Sequence, residues 1–154
     1  AAAGAGMSIA LACDLRIASE NARIITAFAK VGLSGDFGGS WFLTQLVGPA
    51  KARELYLLAD AVEAEEALAL GIVNRGVPDG KLEEETTAMA KRLAHGPSVT
   101  LGYMKKNLNA AISQPLAQCL ALEAMHHAST SLTEDHKEAA QAFVEKRKPI
   151  FQGR

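Results

Sequence analysis

Apolar residues are spaced in two ways along this chain. Up to about residue 80 they come as short runs broken by glycines and turn-forming residues, and beyond it they recur at three- and four-residue intervals. The compact, small-residue segment 5–12, opened by Gly4-Ala5-Gly6, predicts a buried helix, with a loop running into it from the first residues. Residues 15–18 and 22–26 are short apolar runs separated by Ser19-Glu20-Asn21, and predict two strands. Residues 28–39, with glycines at 32, 35, 38 and 39, predict a loop. A helix over 40–47 follows. Gly48-Pro49 ends it and starts another, since the fixed φ of proline suits a first helical position. That second helix carries Ala52, Leu55, Tyr56 and Leu58 on or near one face. A short helix over 63–70, closed by Gly71, and a strand over 72–77 complete the first regime.

From Gly80 onward only helices are predicted. Leu82, Met89 and Leu93 make one stripe, with Glu83, Glu84 and Glu85 in the first turn where the helix dipole favours anions. Val99, Met104 and Leu108 belong to a helix after Pro97, and Leu116, Leu120 and Ala124 to one after Pro115. The last helix starts at the N-cap residue Thr133 and stops before Pro149. The pattern is therefore α/β: strand–helix units over 1–80 and an all-helical region over 81–154.

Composition narrows the function more than the fold. With 16 basic and 17 acidic residues, no global field draws the chain to nucleic acid or to a membrane. Charged residues interrupt every apolar run before it reaches spanning length, and no signal peptide is visible. Cys13 and Cys119 lie far apart in apolar surroundings, and are expected to be reduced core thiols in a cytoplasmic-type compartment. His95, His126, His127 and His136 show no chelating spacing. His126 and His127 would point about 100° apart on a helix, so no metal site is expected. The chain begins at Ala1 without an initiating Met, which suggests that an upstream portion belongs to the same fold.

Three features carry candidate chemistry, each with a plainer reading. Gly4-Ala5-Gly6 lets backbone approach a ligand closely and offers free helix N–H groups to negative charge, and close helix packing accounts for it as well. Asp36, in Ser34-Gly35-Asp36-Phe37-Gly38-Gly39-Ser40-Trp41, reads as a turn or N-cap carboxylate. The turn or cap role is the commoner one for an Asp before a helix; the alternative is a proton carrier whose pKa is raised by desolvation among Phe37, Trp41 and Phe42. Asp36-Phe37-Gly38 also matches the protein-kinase metal motif, but neither the catalytic-loop signature nor a phosphate loop accompanies it. Lys146-Arg147-Lys148 would complement a helix C-terminus, with phosphate binding as the alternative.

Taken in order, these residues resemble the crotonase family, the enoyl-CoA hydratases and isomerases. The resemblance rests on Ala2-Ala3-Gly4-Ala5-Gly6-Met7-Ser8-Ile9-Ala10-Leu11-Ala12-Cys13-Asp14-Leu15-Arg16-Ile17-Ala18, Phe28-Ala29-Lys30-Val31-Gly32-Leu33 and Asp36-Phe37-Gly38-Gly39-Ser40. It continues through Glu66-Ala67-Leu68-Ala69-Leu70-Gly71-Ile72-Val73-Asn74 and Ala142-Phe143-Val144-Glu145-Lys146-Arg147-Lys148-Pro149. It implies the C-terminal turns of a ββα spiral followed by a helical trimerisation region, in a homotrimer or a hexamer of two stacked trimers. It also implies an acyl-CoA thioester substrate, with coenzyme A entering as part of the substrate and no separate cofactor.

By that resemblance the Ala5 backbone N–H, beside Gly4, is one of two oxyanion-hole donors, and the other belongs to the upstream segment. Typical hydratases carry glutamates where this chain has Ser8 and Phe28. Asp36 falls where some relatives keep a single catalytic Asp, and its string is most like that of the phenylacetate-pathway epoxide-to-oxepin isomerases. Phe28, Phe37, Trp41 and Phe42 are the candidate acyl pocket, and Phe143 and Lys146 the candidate CoA contacts. The resemblance thus implies an isomerase using Asp36, with an enoyl-CoA hydratase or a non-catalytic acyl-CoA-binding relative as alternatives. Residues 1–154 on their own are expected to be inactive and to expose apolar surface.

Overall fold

A computed structural model describes all of residues 1–154. They form two compact units, Ala1–Thr87 and Ala88–Arg154. In the first, β1 (Ala2–Ala3) runs directly into α1 (Ala5–Ala12), followed by β2 (Ile17–Ser19) and β3 (Arg23–Ile25). Helix α2 (Gly39–Leu58) comes next, then β4 (Val62–Glu63), α3 (Ala64–Ala69) and β5 (Arg75–Val77), and α4 (Leu82–Ala94) begins at the end of this unit.

Although β2 and β3 are neighbours in sequence, they join different sheets. A turn closed by Ala22 N–H donating to Ser19 O at 2.9 Å redirects the chain between them. β2 pairs in parallel with β5 (Ile17 opposite Arg75). β3 sits between β1, which is parallel (Ala2 opposite Ile24), and β4, which is antiparallel (Arg23 opposite Glu63). The exposed Arg23–Glu63 pair at 2.9 Å marks that register and contributes at most about 1 kcal/mol.

The core of this unit is Met7, Leu11, Phe28, Leu43, Leu55, Val62, Ile72 and Val73. Each large side chain removed from water there contributes about 1.5–3 kcal/mol. Buried Thr26 donates through Oγ1 to Leu55 O at 2.8 Å, tying the end of β3 to α2. Gly48, at φ 76° and ψ 165°, breaks α2 just before Pro49, so α2 is two helical segments joined at a kink, as the sequence predicts.

In the second unit, α5 (Ser98–Ala111), α6 (Leu116–Ser131) and α7 (Glu134–Val144) follow one another. α5 meets α6 through Tyr103, whose ring lies 4.5 Å from that of His126, and through a hydrogen bond between His126 Nδ1 and Asn107 Oδ1. Thr133 caps α7 as expected, its Oγ1 accepting from His136 N–H at 3.1 Å. The buried Asp135 carboxylate accepts from Gln152 N–H at 2.7 Å and Gly153 N–H at 2.9 Å, which anchors the C-terminal residues to α7.

Several expectations need correction. Cys13 is exposed and Cys119 half-buried, because Cys13 lies just past the end of α1 and its thiol reaches only Ile9 O, at 3.6 Å. Leu58 is 63% exposed, so the buried face of the second α2 segment is Ala52 and Leu55. Ile72 and Val73 are buried without being in a strand, since β5 starts only at Arg75. The opening residues, expected as loop, include the two-residue strand β1. No helix is long and apolar enough to cross a membrane.

Candidate active site

Gly4 holds φ 51° and ψ −122°, a conformation that strains any residue with a Cβ. Its N–H donates to Ile25 O at 3.0 Å, fixing the turn from β1 into α1. No side chain caps α1. The N–H groups of its first turn, starting at Ala5, therefore have no intrahelical acceptor, and they lie at the positive end of the helix dipole. That arrangement suits an oxyanion.

One turn along α1, Ser8 is completely buried, and its Oγ donates to Gly4 O at 3.3 Å. Phe28 is buried with a ring carbon 3.8 Å from where a Gly4 Cβ would stand. It stacks on Tyr56, the ring centroids 6.0 Å apart and the planes 14° from parallel. Ser8 and Phe28 thus place a buried hydroxyl and a buried ring, and no carboxylate, close to the α1 N-terminus.

The glycine loop wraps this corner. Its backbone is left-handed at Gly32, Gly35, Gly38 and also at Phe37, with φ 43°, which is costly for a bulky residue. Asp36 O accepts from Gly39 N–H at 2.9 Å, holding the loop against the start of α2. Gly39 is buried, and a Cβ there would meet Ser8 Oγ at 2.2 Å, Tyr56 Oη at 2.7 Å and Ser8 Cβ at 3.0 Å. Gly39→Ala is therefore expected to lower stability by about 1–3 kcal/mol through overpacking, outweighing the roughly 1 kcal/mol gained in helix propensity. A fall in the denaturant midpoint would register it.

Asp36 itself is exposed. The desolvation expected from Phe37, Trp41 and Phe42 is not realised, because Phe37 is 66% and Trp41 48% exposed. Trp41 and Phe42 instead engage each other edge to face at 5.1 Å, and Phe42 is half-buried, against Gly38. Asp36 is nonetheless close enough to act on Tyr56. Burial first, and the Asp36 charge second, raise the Tyr56 phenol above its ordinary pKa, partly offset by Ser8. The phenol is therefore protonated, and a donor, at neutral pH.

Phe143 and Lys146 lie at the end of α7 in the second unit. Phe143 is 85% exposed, and Lys146 is exposed with a left-handed backbone at φ 56°. Arg147 is engaged by Glu138 at 2.6 Å and Glu145 at 2.5 Å, so the basic run offers an anion fewer free cations than its sequence suggests. Arg147 holds the Glu138 carboxyl down at about 2. No group of three or more His, Cys, Asp or Glu side chains converges to hold a metal ion.

A groove of about 550 Å³ between α1, β2 and β3 contains none of the sequence-predicted site residues. Its guanidinium, Arg16, is already spent on the carbonyls of Ile72 (2.5 Å), Leu11 and Cys13. Sequence reasoning did miss Tyr56, which reads as one more apolar position on α2. A tyrosine on a buried stripe has a hydroxyl to satisfy, and that requirement was the available signal.

The family model for enoyl-CoA hydratase/isomerase matches residues 1–154. Among curated relatives, a Rhodobacter capsulatus protein named "Probable enoyl-CoA hydratase" is 44% identical over 154 residues, covering 100% of this chain and 60% of the relative. The 1,2-epoxyphenylacetyl-CoA isomerase of Escherichia coli is 37% identical over 153 residues, covering 99% of this chain and 58% of that protein. The crystal structure of enoyl-CoA hydratase subunit I from Geobacillus kaustophilus superposes with a TM-score of 0.95 at 39% identity, covering 99% of this chain and 60% of that one. The chain thus spans about three-fifths of the length of the relatives it matches. On the match along its whole length, the chain belongs to the enoyl-CoA hydratase/isomerase family.

Proposed function

We propose that the enzyme carrying this chain shifts a proton, and with it a double bond, within an enoyl-CoA thioester. Asp36 takes a proton from the α- or γ-carbon, and the electron pair left behind moves onto the thioester oxygen as an enolate. The Ala5 N–H, as one of the family's two donors, stabilises that oxygen. Asp36 then returns the proton at the other carbon and ends ionised, as it began. A donor of this kind contributes on the order of 3 kcal/mol to barrier lowering.

The observation that carries this reading is a lone carboxylate in the glycine loop, Asp36, together with neutral, buried Ser8 and Phe28 near the α1 N-terminus. Hydration needs one group to activate water and another to manage the α-proton, whereas a proton shuttle needs a single one. Similarity to the Escherichia coli isomerase supports aromatic acyl-CoA chemistry as the finer assignment. The name of the Rhodobacter capsulatus relative favours a second reading, an enoyl-CoA hydratase in which Asp36 alone places the water.

Direct assay of the complete enzyme separates the readings. Brisk isomerisation of a 3-enoyl-CoA with negligible hydration of crotonyl-CoA is the expected result, and the reverse ranking would establish the hydratase. Acyl-CoA binding with no solvent deuterium entering the α-carbon would mean a relative that kept the fold and lost the chemistry.

Exposed apolar residues on α5 and α6, Leu108 and Leu116 among them, support assembly as a trimer or a hexamer of stacked trimers. Phe143 and Lys146 would then be CoA contacts made across a subunit boundary. The two free thiols suit a cytoplasmic setting.

A further inference from the structure

The Tyr56 hydroxyl is buried and has no hydrogen-bond partner. An orphaned buried polar group costs about 1–3 kcal/mol, so a phenol is retained at such a position only against some return. Here a phenylalanine would keep the stack on Phe28 without that cost. The space around the hydroxyl is shaped by glycines: a Cβ on Gly35 would stand 3.4 Å from the Tyr56 ring and 3.8 Å from Oη, and one on Gly39 2.7 Å from Oη. Asp36 lies between these two glycines and is the charged group that acts on the phenol. Ser8 Oγ is the alternative partner: it pulls the phenol pKa down as a hydrogen-bonding neighbour would, but it does not reach the hydroxyl with hydrogen-bond geometry, and its own proton goes to Gly4 O.

We propose that Tyr56 is a positioning residue whose hydroxyl donates to the Asp36 carboxylate when the acyl group is seated, drawing that carboxylate from solvent to the α1 side of the loop. This rests on Asp36 being the acid/base. It gives the left-handed Gly35, Phe37 and Gly38 backbone a purpose, since a loop of such residues can bring its carboxylate inward without moving α2.

Two measurements test the pairing. Residues 1–154 hold two tyrosines, Tyr56 and Tyr103, so in the complete enzyme with ring-labelled tyrosine the Tyr56 midpoint is read by NMR from the resonance that Tyr56→Phe removes. Asp36→Asn should lower that midpoint, and by more with a non-reactive acyl-CoA analogue bound than without it, because seating the acyl group brings the carboxylate onto the hydroxyl. Equal shifts with and without the analogue, or no shift at all, overturn the proposal, even if Asp36→Asn proves inactive, and leave the hydroxyl to Ser8. In the complete enzyme, Tyr56→Phe should lower kcat about tenfold with KM nearly unchanged. It should also move the acid limb of the kcat–pH profile upward, because a carboxylate that loses a donor is easier to protonate. An unchanged limb and kcat, beside an inactive Asp36→Asn, would reject Tyr56 and keep Asp36.

Discussion

Asp36→Asn in the complete enzyme is expected to slow exchange of the acyl α-proton with solvent by about a hundred- to ten-thousand-fold, the range that one general acid/base contributes. Binding should be largely intact, since the amide keeps the shape of the side chain and Asp36 anchors the loop through its backbone carbonyl, which accepts from Gly39 N–H at 2.9 Å. Isotope exchange monitored by NMR, with binding measured separately by calorimetry, checks both halves. The effect should be that large because Ser8 and Phe28, buried near the α1 N-terminus, are uncharged and offer no second carboxylate there. Exchange at the parent rate in Asp36→Asn would remove the aspartate from the mechanism.

Ala5→Pro should lower kcat about a hundred- to thousand-fold, the usual cost of one oxyanion donor, while leaving the fold nearly untouched. Ala5 is the first residue of α1, and its N–H has no partner within the helix. Proline is at home in that position, where it removes a hydrogen that the helix does not use and supplies a helical φ. The preceding residue is Gly4, at ψ −122°, which avoids the α-region clash that proline imposes on its predecessor. A thermal midpoint close to that of the parent, together with collapsed turnover, is the expected pair of results. Unchanged turnover would show that the Ala5 amide is not a donor to the reacting oxygen.

Where glycine and proline punctuate this chain, the sequence reads well. Helix α1 runs over the expected Ala5–Ala12 because Gly4 supplies the turn before it. The kink at Gly48 and the start at Pro49 follow from residues that permit little else. Two-residue strands such as β1 and β4 carry no alternation to detect, and they exist only through pairing with β3. Ile72 and Val73 read as strand because they are branched and apolar, yet the core, rather than a ladder, holds them.

For the candidate site, residue types point to the α1 N-terminus, Asp36 and its aromatic neighbours. Spacing does not convey that Phe37 and Trp41 stay exposed, or that Ser8, Tyr56 and Gly39 compete for the same few ångströms. Those facts depend on the approach of α1 to α2, which brings together residues more than thirty positions apart in sequence.

In this mechanism the Ala5 amide and the Asp36 carboxylate meet one thioester from opposite sides. A crystal structure of the complete enzyme with an unreactive enoyl-CoA analogue would show whether they do. The thioester oxygen is expected about 2.7–3.1 Å from Ala5 N, with an Asp36 oxygen about 3–3.5 Å from the α- or γ-carbon. A seated analogue with its thioester away from Ala5, or with Asp36 still out in solvent, would contradict the mechanism.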